Sequence, residues 1–290
     1  MRKIAAVILA VILAANPFLS SFAVGNELKI FVASDTHYQS AKDRSPLAEA
    51  DEAFSEGMLD RDVFSYVSMQ GQMNYESGAI MRAMLRAFSA SDAPFLLIPG
   101  DLTCGKRASH EEFAAMLKET EENTGKKIFV IPGNHDTDDD DFEKYISINE
   151  FKKIYSDFGY GEALSSDDKS GCYTAELLNG YRLLAIDSNI YGKDNGKVDS
   201  SRLKWIKEQL KTAKNDGVKL IAMMHHSLLP HFEAQSMIPN YRSLATLLAD
   251  SGVKYVFTGH LHANDITSSR SLKGNVIYDI QTGALITAPC

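Results

Sequence analysis

Five short clusters rich in His, Asp and Asn are spread along this chain, and each directly follows a run of apolar, strand-like residues. Such side chains are common ligands of divalent metals of borderline hardness. Strands that lead into polar clusters at their carboxyl ends are typical of an α/β sheet with a site along one edge. We therefore predict that the clusters meet at one edge and form a two-metal site. They are Asp35-Thr36-His37, Gly100-Asp101, Gly133-Asn134-His135-Asp136, His225-His226 and Gly259-His260-Leu261-His262.

Taken alone, most of these clusters are weak signals, because an Asp-x-His triplet or a Gly-Asp pair often occurs by chance. Gly133-Asn134-His135-Asp136 is the most specific piece. In the last cluster, His260 and His262 stand two positions apart, so both rings can point to the same side of an extended segment. Five clusters, each after a strand-like run, indicate one common site.

The strand-like runs predict the sheet that must position these clusters. The runs before the clusters are Leu28–Ala33, Phe95–Ile98, Ile128–Ile131, Leu220–Met224 and Val253–Phe257. Two further strands, Cys172–Leu177 and Tyr181–Ile186, flank an Asn-Gly turn and should form an antiparallel hairpin. A last strand is predicted over Asn275–Ile280.

Apolar residues at helical spacing predict five helices between these strands. The helices are Tyr75–Phe88, His110–Asn123, Asn149–Phe158, Ser200–Lys214 and Tyr241–Ser251. Ser109, with Glu112 three residues on, has the capping-box pattern of an N-cap for the second helix. We place Trp205, the single tryptophan, in the core.

Two segments allow both a functional and a plain structural interpretation. The long connection between Gln39 and Ala79 is either a substrate-reading lid or a surface loop packed on the domain. The acidic run from Asp138 to Asp141 lacks the alternating spacing of a calcium loop. We interpret it as a solvated turn whose charges favour the positive end of the next helix.

The ordered set of clusters resembles the calcineurin-like metallophosphoesterases, also called the purple-acid-phosphatase-like superfamily, over roughly Leu28 to His262. It looks most like the bacterial cyclic-nucleotide and glycerophosphodiester phosphodiesterases. The Gly-Asp-Leu-Thr run, the His-His pair and the Gly196–Ile206 segment carry that finer resemblance. The resemblance implies an α/β fold, a four-layer α-β-β-α sandwich with two packed mixed β-sheets. It also implies hydrolysis of phosphomono- or phosphodiester bonds by metal-bound hydroxide, that is, a metal-dependent phosphoric ester hydrolase.

The same resemblance implies two transition metal ions, divalent or trivalent (Mn, Fe or Zn), that share the bridging carboxylate of Asp101. The ligands of the first ion would be Asp35, His37 and His262, and those of the second Asn134, His225 and His260. His225 is chosen over His226 because it comes first after the strand, which leaves His226 behind the ligands or facing the substrate. Imidazole suits these metals, whereas calcium favours an all-oxygen shell.

His135 and Asp136 are the predicted catalytic residues. The resemblance implies that His135 is an outer-sphere histidine over the phosphate, where it could donate a proton to the leaving group. The alternative is a hydrogen bond that only shapes the Asn134 turn. Asp136 is expected to orient the local backbone and side chains rather than to bind metal.

The chain departs from the family pattern at two positions. Cys104 stands where members often have Asp, and Ser227 stands where Pro often follows the His-His pair. Neither is a predicted ligand, so loop shape and substrate choice are affected rather than catalysis. Other hydrolase classes fit less well, since the His-x-His-x-Asp-His run of metallo-β-lactamases and the Gly-x-Ser-x-Gly of serine esterases are missing from the sequence.

The first 23 residues have the pattern of a secretory signal peptide. Arg2 and Lys3 precede an apolar run, and Ser21-Phe22-Ala23 has the small-x-small form of a cleavage site. We predict cleavage after Ala23 and a secreted or extracytoplasmic phosphoesterase domain over residues 24–290, and we expect the domain to continue beyond Cys290. The alternative is an uncleaved N-terminal anchor. Cys104 and Cys172 could bridge, but three cysteines form no disulfide framework.

Composition narrows the classes of partner. The formal net charge is −8, which gives no general attraction to nucleic acid or anionic lipid and disfavours a nuclease of this fold. The expected partner is a small phosphate ester, without bulk nucleic-acid binding or a stable transmembrane anchor; the oligomeric state is left open. The main alternative to an enzyme is a non-catalytic secreted metal-binding module of the same fold.

Overall fold

The computed structural model describes residues 28–42, 73, 76–103, 106–138, 145–178, 180–232 and 237–287. Within these ranges the chain alternates strands with five α-helices. The strands are β1 (Ile30–Val32), β2 (Phe95–Pro99), β3 (Lys127–Ile131), β4 (Ser165–Ser166), β5 (Tyr173–Glu176), β6 (Tyr181–Ile186), β7 (Lys219–Met224), β8 (Tyr255–Thr258), β9 (Asp265–Arg270) and β10 (Val276–Gln281). The helices are α1 (Ser77–Ala90), α2 (Arg107–Thr124), α3 (Ile148–Ile154), α4 (Ser200–Asp216) and α5 (Tyr241–Asp250).

The strands form two sheets, as predicted. The smaller has the order β1-β2-β3, and its described pairings are all parallel. The larger has the order β4-β5-β6-β7-β8-β10-β9. In it, β6, β7, β8 and β10 run parallel, while β4, β5 and β9 add antiparallel pairs at the two edges.

Three apolar layers hold the two sheets and their helices together. One layer lies between the sheets, where β2 and β3 meet β5, β6 and β7. A second packs α1, α2 and α3 on the outside of the smaller sheet, and a third packs α4 and α5 on the larger sheet. The order helix, sheet, sheet, helix confirms the predicted four-layer sandwich.

Strand β2 shows why a continuous apolar run was needed here. All five of its residues are buried. Leu96 and Ile98 face the helix layer, while Phe95 and Leu97 face the other sheet, as the two-residue period of a strand requires. Full burial of such a side chain contributes about 1.5–3 kcal/mol. The strand is therefore anchored on both faces where it delivers Asp101 to the site.

Helix boundaries follow local capping chemistry, with one correction. Helix α4 starts after Asp199, whose side chain accepts from the backbone N–H of Arg202, and α3 starts with a capping box between Ser147 and Glu150. The predicted Ser109 cap of α2 is wrong, because α2 already begins at Arg107. The Ser109 hydroxyl instead accepts from the backbone N–H of Ser40, 3.1 Å away.

Two further predicted features, an antiparallel hairpin and a buried tryptophan, are present in the fold. The hairpin of β5 and β6 is antiparallel, and Trp205 is buried in the helix layer of the larger sheet. Cys172 is a free, buried thiol whose pKa is raised by that burial to about 12. The exposed edge strand β9 was not predicted, because Asp265–Arg270 carries little apolar character. None of the helices in the described ranges combines the length and apolar character that a membrane crossing requires.

Several predictions fall outside the described residues. These are the signal peptide, most of the connection between Gln39 and Ala79, residues 139–141 of the acidic run, Cys104 and Cys290.

Candidate metal centre

The five clusters meet at the carboxyl edge of both sheets. Strands β1, β2 and β3 lead to Asp35, Asp101 and Asn134, while β7 and β8 lead to His225 and His260. Backbone hydrogen bonds join neighbouring clusters directly, since the N–H of Asp35 donates to Gly100 O at 3.2 Å. Parallel pairing thus brings residues far apart in sequence to one edge, as the sequence analysis predicted.

The first group, here called half-site one, contains Asp35, His37, Asp101 and His262. Each offers one ligand atom, and these atoms all lie within 4.8 Å of one another. The Nε2 atoms of His37 and His262 are 3.1 Å apart. Two imidazole nitrogens this close could both bind one cation, since each neutral ring carries a lone pair on one nitrogen.

The second group, half-site two, contains Asp101, His225, His260 and Asn134. The ligand atoms of the first three lie within 4.8 Å of one another. Asn134 Oδ1 lies 2.9 Å from His225 Nε2 and 2.9 Å from His260 Nδ1. Asp101 belongs to both half-sites, so its carboxylate stands where a bridging ligand would be required.

Backbone strain at this edge is concentrated at the predicted metal ligands. Among the described residues, five non-glycine residues have a positive φ, and all five are predicted metal ligands. They are Asp35 (51°), His37 (37°), Asp101 (50°), His260 (76°) and His262 (54°). Such conformations cost of order 1–3 kcal/mol each and persist only where the surroundings over-determine them. The strain marks this edge as a functional site.

Burial sets the protonation of the candidate ligands. It lowers the pKa of His37 to about 3 and that of His260 to about 2, so both rings are neutral near pH 7 and offer lone pairs. Burial alone would raise the pKa of Asp101, but the neighbouring His225 helps hold it well below its usual range. Asp101 in turn raises the pKa of His225 to about 9 against the effect of burial. Without metal, Asp101 and His225 form an ion pair at 3.3 Å.

The orientation of His225 is fixed from behind. Its Nδ1 donates to the Pro99 carbonyl at 2.9 Å, which turns Nε2 toward Asn134 and Asp101. Gly100 makes this approach possible, because a Cβ there would lie 2.5 Å from His225 Nδ1 and its φ is +93°. The choice of His225 as the candidate ligand agrees with this geometry.

His226 does not face the substrate side. The residue is only 1% exposed, and both ring nitrogens have partners in the chain. Nδ1 is 2.9 Å from Ser188 Oγ, and Nε2 is 2.9 Å from the Asp194 carbonyl. The ring therefore lies behind His225 and His260, which corrects the substrate-facing alternative.

Asp136 is buried behind the candidate ligands and contacts the backbone of the site loops. Its buried carboxylate accepts three backbone N–H groups, from Leu102, Thr103 and Gly133, at 2.8–3.1 Å. It thereby ties the loop after β2 to the turn after β3, which agrees with the expected orienting role; a direct part in catalysis stays a prediction.

His135 is exposed and lies beside half-site one. Its ring centroid is 5.2 Å from that of His37. Its backbone N–H donates to Asp101 Oδ1 at 2.9 Å. The ring is thus free to meet a ligand while its backbone is anchored to the carboxylate that both half-sites share.

Sequence reasoning missed two groups that support these loops. His110 contacts Thr103 Oγ1, the Asp136 carbonyl and Tyr155 Oη at 2.9–3.1 Å. Its place on the apolar face of α2 with Phe113 was the available signal. Asn189 donates from Nδ2 to the Pro132 carbonyl at 2.7 Å and so holds the turn that carries Asn134. No local pattern identifies that contact.

The donor set fits a pair of transition metal ions. Two buried carboxylates, several neutral imidazoles and one amide oxygen converge, and imidazole-rich sets suit Zn, Fe and Mn. Burying Asp35 beside Asp101 is costly without a compensating cation, and burial raises the pKa of Asp35 to about 7.

Comparison with known proteins supports this interpretation. A probable cyclic nucleotide phosphodiesterase of Rhodococcus erythropolis is 26% identical over 188 residues, which are 63% of this chain and 56% of that protein. A probable glycerophosphodiester phosphodiesterase of Arcobacter nitrofigilis is 26% identical over 214 residues, 68% of this chain and 69% of that protein. The chain thus spans little more than half the length of the Rhodococcus protein.

The fold also matches a solved structure. The crystal structure of a dimetal phosphatase from Danio rerio aligns with a TM-score of 0.60 and 12% identity, covering 90% of this chain and 89% of that chain. At that identity the likeness concerns the fold alone. Residues 28–264 match the family model described as calcineurin-like phosphoesterase, which confirms the resemblance carried by the five motifs. The chain belongs to the calcineurin-like phosphoesterase family.

Proposed function

We propose that this chain is an exported, dinuclear-metal-dependent phosphoesterase that hydrolyses phosphomono- or phosphodiester bonds. The observation that carries the proposal is the position of Asp101, whose carboxylate belongs to both half-sites at one edge of the fold. A shared carboxylate suits two ions about 3.5–4 Å apart, the spacing of two-metal phosphatases.

Each half-site would hold one ion through the side chains already described. When bound, such ions neutralise phosphate charge and lower the pKa of a coordinated water. Buried neutral imidazoles leave the site with net positive charge once ions are present. An anionic ester is therefore the class of substrate that the site would favour.

His135 would act on the leaving group. Its ring is exposed beside His37, while its backbone is held by Asp101. A proton on the imidazole would pass to the ester oxygen as the bond between that oxygen and phosphorus breaks. Placing a positioned acid there is typically worth about 10²–10⁴-fold in rate.

A phosphodiester is the substrate class to test first. The names of the two relatives reported above refer to cyclic nucleotides and glycerophosphodiesters, both of which are diesters. Export is supported by the signal-peptide pattern of residues 1–23. The proposal therefore places the reaction outside the cytoplasm.

The test combines metal content with an activity panel. Purified protein loaded with Mn, Fe or Zn should carry close to two ions per chain by elemental analysis. It should cleave at least one member of a panel that contains aryl monoesters, aryl diesters, cyclic nucleotides and glycerophosphodiesters. As a control for replacing a carboxylate, Asp92→Asn removes an exposed ion pair with Lys29 and should behave as wild type.

Two results would count against the proposal. A persistent stoichiometry near one would contradict the two-metal centre. Two bound ions without turnover of any panel member would favour a metal-binding module of the same fold.

A further inference from the structure

Strand β10 buries polar side chains where a strand normally buries apolar ones. Its inward positions, spaced by two, are Ile277, Asp279 and Gln281, and none is more than 2% exposed. Ile277 packs in the helix layer, whereas the two polar residues lie nearer the carboxyl end. Buried polar groups are costly unless they are hydrogen-bonded. The strand also lies beyond the residues 28–264 that match the family model.

Asp279 links two segments of the site. Its Oδ2 accepts from the backbone N–H groups of Leu228 and Leu229 at 2.7 and 2.8 Å. Its Oδ1 accepts from Thr258 Oγ1 at 2.6 Å. One buried carboxylate therefore ties the loop after His226 to the last residue of β8.

Gln281 makes the same connection one step further along the strand. Its Oε1 accepts from Ser227 Oγ at 2.8 Å, and its Nε2 donates to the carbonyl of Gly259. Ser227 follows the His225-His226 pair, and Gly259 precedes His260. The amide is needed here because it accepts from one segment and donates to the other.

Together, these two side chains clamp the segments that carry two ligands of half-site two. The segments also meet directly through a backbone hydrogen bond, from Gly259 N–H to the His225 carbonyl at 2.9 Å, and through the rings of His225 and His260, whose centroids are 5.1 Å apart. The clamp adds three hydrogen bonds at Asp279, from Leu228, Leu229 and Thr258. At Gln281 it adds one from Ser227 and the contact with Gly259.

We propose that Asp279 and Gln281 are positioning residues that fix His225 relative to His260 and so set the affinity of half-site two for its ion. The inference rests on the proposed two-metal centre. Side chains that orient metal ligands typically change metal affinity by about 10–100-fold when they are replaced.

The test is calorimetric metal titration of the metal-free protein, with two variants that disturb the clamp differently. Asp279→Asn keeps the shape of the side chain, but it replaces a carboxylate that accepts from three donors by an amide, which has only one acceptor oxygen. Gln281→Glu removes the donor to Gly259 and keeps the acceptor for Ser227. Two reference variants, His37→Ala and His225→Ala, assign the binding events to half-sites one and two.

The matched control is Asp250→Asn. Asp250 also accepts from two side chains, Ser271 Oγ at 2.6 Å and Asn275 Nδ2 at 2.9 Å. These contacts lie at the end of α5 and the β9–β10 hairpin, away from the ligands. The control therefore makes the same chemical change at a carboxylate that accepts side-chain hydrogen bonds and pairs with Lys273, but lies outside the clamp.

We expect both clamp variants to weaken the event assigned to half-site two by about 10–100-fold. The event of half-site one and the control should stay close to wild type. If Asp279→Asn does not fold, as thermal unfolding would show, Gln281→Glu carries the test alone. If the wild type shows two binding events and the clamp variants weaken both equally or neither, this inference alone is overturned. A wild type without a second event would overturn the two-metal proposal and this inference with it.

Discussion

The two half-sites share Asp101 but are built in different ways. In half-site one, Asp35, His37, Asp101 and His262 all have left-handed backbone conformations. In half-site two, Asp101 and His260 share this conformation, whereas His225 continues directly from a regular strand and is oriented through its side chain by the Pro99 carbonyl. All four ligands of half-site one therefore lie on strained backbone, whereas the position of His225 in half-site two depends on a hydrogen bond to its ring.

This difference has a physical consequence for metal binding. Strained backbone at about 1–3 kcal/mol per residue is tolerated because neighbouring segments hold it, as Leu285 N–H does at the carbonyls of Ser34 and Asp35. Hydrogen-bonded ligands instead depend on the partners of each ring. Half-site two should thus be the more sensitive to changes at residues that contact His225 without being ligands themselves.

The largest effect is expected at the shared carboxylate. Asp101→Asn should weaken both binding events, each by at least about 100-fold, because a lost ligand costs more than a lost orienting contact. His37→Ala should weaken mainly one event. Calorimetric titration of both variants makes the comparison, and an Asp101→Asn protein with one intact event would rule out the bridge.

The next effect concerns the leaving group rather than the ions. His135→Ala should slow a diester with a poor alkyl leaving group by about 10²–10⁴-fold and an aryl ester far less, because an aryl oxide needs little protonation. Metal content should stay near wild type. Steady-state rates on a matched pair of substrates provide the measurement. Equal slowing with loss of metal would make His135 a scaffold residue of half-site one.

A smaller effect on metal affinity is expected from a backbone substitution that should weaken the two half-sites unequally. Gly100→Ala would place a methyl group 2.5 Å from His225 Nδ1, so half-site two should lose more affinity than half-site one. Gly125→Ala is the control, since it has a similar positive φ but no atom within 4 Å. It should cost only about 1–2 kcal/mol of stability. Equal losses at both half-sites would argue that the ring of His225 adapts.

The smallest effect concerns the surroundings of the clamp. Burial tends to lower the pKa of His231, but Asp279 at 3.3 Å and Asp265 at 2.9 Å outweigh it and raise that pKa. A raised folded-state pKa means that protonation stabilises the fold below about pH 6.5, and that this stability is lost as pH rises through the folded value. His231→Gln should therefore lower the free energy of unfolding at low pH, by at most about 1 kcal/mol.

The measurement for His231 is urea unfolding across the pH range. The difference between wild type and His231→Gln should shrink as pH rises above the folded pKa of His231. A difference that stays constant with pH would show that the two carboxylates do not charge this ring.

Several features could be predicted because they depend on local pattern. Continuous apolar runs such as Phe95–Ile98 identify buried parallel strands, and the polar residues after them must then meet at one edge. The Asn-Gly turn likewise identified the hairpin of β5 and β6. The Ser109 cap of α2 was predicted wrongly, since α2 begins two residues earlier and the Ser109 hydroxyl accepts from Ser40, 69 positions away.

The sequence by itself therefore determined the strands and which residue types gather at their carboxyl ends, because strand periodicity is a local property; the four-layer sandwich was implied by the resemblance to a known family. Only the tertiary structure decided that His226 turns away from the site, that Asp136 binds three backbone N–H groups, and that Asp279 supports ligands from a strand outside the family segment. These roles depend on contacts such as that between Leu228 and Asp279, 51 positions apart, which no local pattern encodes. They arise when packing brings buried polar groups together and each must find a hydrogen-bond partner.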